Sequence, residues 1–137
     1  MARSLGLDVG TVTIGIAISD PLGMFAQPVR TLHRTGRKAD VAEIVELVGE
    51  REVVNIVVGL PLRTDATEGD SAKEARRMAD ALGSALPGVR MFMQDERFST
   101  AEAERTLIAG NVRRKKRKQL IDQVAAVLIL QSWLDSQ

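Results

Sequence analysis

The stretch from residue 5 to residue 19 reads Leu-Gly-Leu-Asp-Val-Gly-Thr-Val-Thr-Ile-Gly-Ile-Ala-Ile-Ser, and its pattern decides the fold. Residues 4–9 are apolar with small residues between, and residues 13–19 are rich in β-branched side chains. Both segments are therefore predicted to be strands. The short connection from Gly10 to Val12 contains a glycine, which favours a hairpin. The chain is thus predicted to open with two antiparallel strands.

Strands and helices alternate after this hairpin. Further strands are predicted over residues 29–32, with Pro28 at the start, over the apolar run 53–58, and over 89–93. Apolar residues at helical spacing predict helices over 38–50, 72–86, 99–109 and 118–134. This order predicts an α/β fold with a central mixed sheet, an N-terminal antiparallel hairpin and helices on both faces. Residues 1–137 are expected to form a single domain.

Composition excludes several kinds of chemistry. The chain has no cysteine, which rules out disulfides, zinc thiolate sites and thiol catalysis. It shows neither the apolar segment of a signal peptide nor an apolar run of membrane-spanning length. We therefore expect a cytoplasmic protein that does not bind a membrane.

Positive charge is concentrated in one segment. The 19 basic and 18 acidic residues give a net charge of +1, but six cations are consecutive: Arg113, Arg114, Lys115, Lys116, Arg117 and Lys118. Without them the balance is 13 against 18, or −5. This asymmetry suggests a polyanionic partner, and a solvated loop with a helix start is the alternative.

Asp8 interrupts the apolar first strand. A buried carboxylate is costly unless it is paired, which favours a metal or phosphate site over a turn cap.

Asp95 and Glu96 follow the strand 89–93, where active sites of α/β sheets collect. They equally suit the N-terminus of the helix predicted from Ser99, whose dipole favours negative charge.

Asp122 is the only carboxylate between Glu104 and Asp135, and it lies in a helix expected to be buried. A metal ligand is favoured there over a dipole partner or an ion pair with the preceding cations. Acids from the first strand, a late strand end and the last helix could converge on one hard cation, such as Mg²⁺ or Mn²⁺. Two such ions can catalyse phosphodiester hydrolysis without a histidine, and the single His33 is expected at the surface.

The sequence resembles the RuvX/YqgF family, described as Holliday junction resolvases or pre-16S rRNA nucleases. The resemblance covers nearly the whole chain and rests on six segments in order: residues 5–11, 14–21, 59–61 with 67–69, 95–100, the run 113–118 and 121–126. Family members usually carry a basic pair where this chain has Val12 and Thr13, so a phosphate contact of that turn is replaced or missing.

The resemblance implies an RNase H-like fold and a nuclease that uses Mg²⁺ or Mn²⁺, with two ions expected. Asp8, Glu96 and Asp122 would be the catalytic metal ligands, and Asp95 a helper. Arg97 and the run 113–118 would contact nucleic acid. The implied role is 5′-end maturation of pre-16S rRNA in ribosome biogenesis, with ribosomal precursor particles as partners.

Other functions stay open at this point. Junction cleavage in DNA recombination and repair is one, since RNA and branched DNA are both candidate substrates, and either a monomer or a homodimer is compatible. A non-catalytic RNA-binding ribosome-assembly factor is a second. The hairpin also resembles the phosphate-binding hairpin of actin-like ATPases and sugar kinases, although those folds need two such domains.

Overall fold

The computed structural model describes residues 2–63, 65–96 and 114–137, without the side chains of residues 114–122. The predicted hairpin is present, with β1 spanning Arg3–Val9 and β2 spanning Thr13–Ser19. The two strands are antiparallel, and their register sets Asp8 opposite Gly15. Alternating large apolar side chains on both strands are fully buried, which is why the hairpin forms the centre of the sheet.

Three further strands complete a five-stranded sheet of order β3-β2-β1-β4-β5. They are β3 (Ala26–His33), β4 (Val53–Leu60) and β5 (Arg90–Asp95). β3 is antiparallel to β2, whereas β4 is parallel to both β1 and β5. The expected mixed sheet is thereby confirmed. The carboxyl ends of β1, β4 and β5 meet at one edge of the sheet.

The third strand is longer than the predicted 29–32, and Pro28 lies inside it instead of at its start. β3 is an edge strand, so one side of its backbone needs no partner strand. The register with β2 also shifts between Ile16 and Ala17, next to Pro28. An edge position beside an irregular register tolerates the missing N–H of proline.

In the part of the chain that the structure describes, three helices flank the sheet: α1 (Arg37–Arg51), α2 (Asp70–Ala85) and α3 (Arg114–Asp135). They confirm the helices predicted over 38–50, 72–86 and 118–134. α3 begins four residues earlier than predicted, so Arg114–Lys118 belong to a helix and not to a loop. The helix predicted over 99–109 lies outside the described residues, as do Arg97 and Arg113.

The sheet has an apolar core on each face, which confirms helices on both sides. One core joins the sheet to α1 and α2 and includes Leu5, Leu7, Ile16, Ile44, Ile56, Met78 and Leu82. The other joins it to α3 and contains Ala17, Val57, Ala126, Ile129, Leu130 and Trp133. Gly6 lets α3 come close, since a Cβ there would lie 2.7 Å from the Cβ of Leu130. Within the described part of the chain, no helix combines the length and apolar character needed to cross a bilayer.

Candidate active site

Asp8 lies near the carboxyl end of β1, on the edge where the parallel strands end. Successive side chains of a strand alternate between the two faces, so Asp8 shares the face of Gly6. That is the face on which α3 packs. The Asp8 side chain is half-buried. The first strand thus presents a carboxylate toward the space between the sheet edge and α3.

Glu96 follows β5 directly, and its backbone N–H donates to the carbonyl oxygen of Leu60 over 3.2 Å. Although its side chain is ionisable, Glu96 is only 8% exposed. Its Oε2 atom is buried and has no hydrogen-bond partner among the described residues. A buried acceptor without a donor is destabilising, so this oxygen calls for a ligand or a proton.

Gly59 makes room for this carboxylate. A Cβ built on Gly59 would collide with Oε2 of Glu96 and would lie 2.5 Å from Cδ1 of Ile129 in α3. The Glu96 carboxylate is therefore held between β4 and α3. The sequence pattern identified Gly59 only as the end of a strand, although β4 continues through Leu60. The sequence did offer a signal for this contact: Gly59 lies at the end of one apolar strand, and Glu96 follows the next strand along the chain.

Like charges surround Glu96. Burial in the first place, and then the negative charges of Asp8 and Asp95, raise its pKa from the ordinary 4.5 to about 8. The structure thus brings Asp8, Asp95 and Glu96 within electrostatic reach of one another. Asp95 is exposed, and it is the last residue of β5, which extends two residues beyond the predicted 89–93.

The remaining predicted residues are placed only by the backbone or not at all. Asp122 lies in α3, four residues before the buried Ala126, and its side chain is outside the described set. Arg114–Lys118 form the beginning of the same helix, and their side chains are likewise not described. His33 is exposed on β3, as expected for a surface residue.

The described carboxylates suit a hard divalent cation. Carboxylate oxygens are the ligands that Mg²⁺ prefers, and a bound cation would offset the burial and the repulsion that raise the pKa of Glu96. Among the described side chains, no group of three or more acids or histidines could hold a metal ion by itself. Among the residues whose side chains are not described, Asp122 is an acid of α3.

Comparisons with known proteins agree with this architecture. The family model described as "RuvX: Holliday junction resolvase" matches residues 2–136. A protein of Myxococcus xanthus is 49% identical over 134 residues, covering 98% of this chain and 88% of the relative. One of Halalkalibacterium halodurans is 49% identical over 137 residues, covering 98% and 97%. Both are named "Putative pre-16S rRNA nuclease".

Solved structures share the fold at low sequence identity. The fowlpox virus Holliday junction resolvase superimposes with a TM-score of 0.64 at 10% identity, covering 98% of this chain and 99% of the other. Thermus thermophilus RuvC bound to a Holliday junction substrate superimposes with a TM-score of 0.59 at 15% identity, covering 94% and 92%. The five-stranded mixed sheet is thus the RNase H-like fold of the RuvC-like resolvases. With the family match spanning nearly all of its length, the chain belongs to the RuvX family.

Proposed function

We propose that residues 1–137 act as a single nuclease domain that hydrolyses phosphodiester bonds with Mg²⁺ or Mn²⁺, most simply as two ions. The catalytic ligands are Asp8, Glu96 and Asp122, and Asp95 is a helper. One observation carries the proposal: a buried Glu96 oxygen without a described donor lies beside the like charge of Asp8. A folded protein tolerates that arrangement when a proton or a cation offsets the buried charge, and a divalent cation would hold the carboxylate in its ionised form.

The carboxylates divide the work according to their settings. Bound divalent ions would neutralise charge on the attacked phosphate and acidify the attacking water. Glu96 is fixed by burial against Gly59, so its carboxylate needs little reordering when it takes up a ligand. Asp8 would bind the same ion from its place near the carboxyl end of β1. Asp95 is exposed at the strand end, where it can accept hydrogen bonds from water or substrate.

Asp122 is assigned as the third ligand from its position in α3. It precedes Ala126 by four residues, about one helical turn, and Ala126 packs on the sheet face that carries Asp8. Asp122 is also the only acid of α3 before Asp135, which lies at the opposite end of that helix.

Precursor 16S rRNA is the favoured substrate, because relatives 49% identical over nearly the whole chain carry that name. Junction DNA is the second candidate, favoured by the description of the matching family model. Paired cuts in a junction would require a symmetric dimer, whereas a monomer suffices for RNA. A non-catalytic RNA-binding factor is disfavoured, because such a protein gains nothing from burying a carboxylate among like charges.

A cleavage assay tests the proposal. Purified protein is incubated with a precursor 16S rRNA fragment, an unstructured RNA and a four-way DNA junction, each with Mg²⁺, Mn²⁺ or Ca²⁺. We expect metal-dependent cleavage that is fastest on the precursor RNA. Faster, symmetric nicking of the junction would reassign the substrate. Absence of cleavage on all three, together with absence of Mn²⁺ binding by calorimetry, would sink the nuclease proposal.

A further inference from the structure

The turn that follows Asp8 is short and tightly closed. Gly10, Thr11 and Val12 join β1 to β2, and the N–H of Gly10 donates to the carbonyl oxygen of Thr13 over 2.8 Å. A Cβ on Gly10 would lie 2.9 Å from the same oxygen, so the closure depends on glycine. Asp8 is only two residues before Gly10, and its position depends on how firmly this turn is held.

Arg34, just after β3, holds this turn from outside the hairpin. Its backbone N–H donates to the carbonyl oxygen of Val12 over 2.9 Å. Its Nη1 donates to the carbonyl oxygen of Gly10, also over 2.9 Å. One residue therefore binds carbonyl groups on both sides of Thr11.

The other nitrogens of the Arg34 guanidinium are anchored in two helices. Nε donates to Oδ2 of Asp40 in α1 over 2.9 Å, and Nη2 donates to Oε1 of Glu74 in α2 over 3.0 Å. The Arg34 and Asp40 side chains are 12% and 1% exposed, so this ion pair is shielded from water. Asp40 also accepts the backbone N–H of Thr35 over 3.1 Å.

Such an arrangement uses the planar fork of arginine, which reaches three acceptors in fixed directions. A lysine would keep the charge but could not hold the Gly10 carbonyl, Asp40 and Glu74 in this geometry. Glu74 is itself held by Arg37, whose Nη2 donates to Oε2 over 2.9 Å. The network therefore connects the turn after Asp8 to the two helices on the opposite face from α3.

We infer that Arg34 is a positioning residue for the acidic site: it fixes the turn between β1 and β2 and, through it, the carboxylate of Asp8 relative to Glu96. The inference rests on the proposed function only in taking Asp8 as a metal ligand. Catalytic constellations need their groups held within about 0.5 Å, and a displacement near 1 Å can cost roughly a hundredfold in rate. When Arg34 no longer holds the turn, we expect the carboxylate of Asp8 to be displaced by a distance of about that size, near 1 Å.

The test replaces Arg34 by lysine and uses Arg30→Lys as the matched control. Arg30 lies on β3, shortly before Arg34, and also pairs with α1, through Glu43, but both side chains are nearly half exposed. Three readouts are compared: amide hydrogen exchange, Mn²⁺ affinity by calorimetry, and kcat separately from KM on the cleaved substrate. Gly23, whose N–H donates to the carbonyl oxygen of Asp20 in the other hairpin, is an internal reference for exchange.

We expect Arg34→Lys to speed exchange of the Gly10 amide at least tenfold while Gly23 stays unchanged. Mn²⁺ affinity should fall about tenfold or more. The kcat should also fall, whereas KM should stay within about twofold of the wild-type value. Arg30→Lys should match the wild-type chain throughout. If Arg34→Lys does not fold, Glu74→Ala removes the acceptor of Arg34 Nη2 together with that of Arg37 and should show the same pattern at smaller size.

Two results would overturn the inference. Unchanged exchange at Gly10 would mean that Arg34 does not hold the turn. Faster exchange with wild-type Mn²⁺ affinity and kcat would leave Arg34 a purely structural role. Failure of the proposed function is distinguishable from both, because the wild-type chain itself would then bind no Mn²⁺ and cleave nothing.

Discussion

The Oε2 atom of Glu96 occupies the space that a side chain on Gly59 would fill. This relationship links a strand of the sheet core to the carboxylate with the most perturbed surroundings in the described part of the chain. The space for this carboxylate therefore depends on the glycine. It also gives the site a signature that can be tested without any substrate.

Gly59→Ala should therefore damage both stability and cleavage. The new methyl group meets Glu96 and Ile129 in a packed core, which typically costs about 1–3 kcal/mol of unfolding free energy. Displacement of the carboxylate should lower the cleavage rate by roughly a hundredfold. Urea denaturation and the cleavage assay measure the two effects.

Gly83→Ala is the matched control for that substitution. Gly83 lies in α2, where a Cβ would meet only Cγ of Met91 at an ordinary 3.7 Å. Alanine there should be neutral or stabilise the helix by up to about 1 kcal/mol. In a Glu96→Ala background the cost of Gly59→Ala should shrink. An equal cost in both backgrounds would show that the two side chains do not compete for the same space.

The raised pKa of Glu96 predicts an unusual pH dependence of stability in metal-free protein. Its pKa is about 8 in the folded chain against an ordinary 4.5, so the folded state binds the proton more tightly. Between these values the folded state carries more protons than the unfolded state, and the unfolding free energy falls as pH rises. The loss begins above about pH 4.5 and is complete above about pH 8, with a total of roughly 1–4 kcal/mol.

Glu96→Gln isolates this contribution from the other titrating groups. The unfolding free energies of wild type and Glu96→Gln are measured in excess chelator from about pH 4.5 to about pH 8.5. As pH rises, the wild-type chain should lose stability relative to the variant. A difference that stays constant across this range would mean that Glu96 titrates normally in the folded protein.

Asp8→Asn, Glu96→Gln and Asp122→Asn should each abolish detectable cleavage and leave the chain folded. Loss of one carboxylate ligand weakens binding of the ions that supply most of the charge stabilisation. Metal-free stability should stay equal or increase, because repulsion among the carboxylates is relieved. Asp80→Asn, at an exposed position of α2, should keep wild-type activity. Wild-type cleavage by any of the three variants would remove that residue from the site.

Sequence patterns predicted the sheet and the helices because their signals are local. Alternation and apolar runs identified β1, β2 and β4, and helical spacing identified α1 and α2. The strand β3 was underestimated, because an edge strand is partly exposed and lacks a strong apolar pattern. Asp8 was predicted as a site residue because an acid inside an apolar strand is conspicuous, and Glu96 because of the family resemblance; the structure brings the two carboxylates within electrostatic reach of each other.

Contacts between distant segments were not predictable in the same way. Nothing in the local sequence links Gly59 to Glu96, and their relationship appears only when β4 and β5 pair side by side. Arg34, Asp40 and Glu74 likewise resemble ordinary charged residues near helix starts. Their ion pairs form because three separate elements meet beside the first hairpin.

The beginning of α3 is dense in positive charge. Five consecutive cations, Arg114–Lys118, lie at the N-terminal end of this helix, where the helix dipole favours negative charge. No acid occupies the first turn to offset them. The same helix carries Asp122 one to two turns later. A run that is unfavourable for the helix and close in sequence to the acidic site is suited to bind backbone phosphates.

Neutralising this run should weaken nucleic-acid binding through the salt-dependent part of the affinity. In Arg114→Gln, Lys115→Gln and Lys116→Gln combined, the slope of log affinity against log salt should flatten by roughly 0.7–0.9 for each phosphate that the protein no longer neutralises. The weakening should be similar for all substrate sequences, since phosphate contacts position the strand without reading bases. Ca²⁺ in place of Mg²⁺ blocks cleavage during the measurement.

A control that removes three exposed cations elsewhere, Arg30, Arg51 and Arg90, changes net charge equally and should leave the slope nearly intact. Equal flattening in both variants would show that only overall charge matters, and an unchanged slope in the first would assign the run to solvation of the helix start.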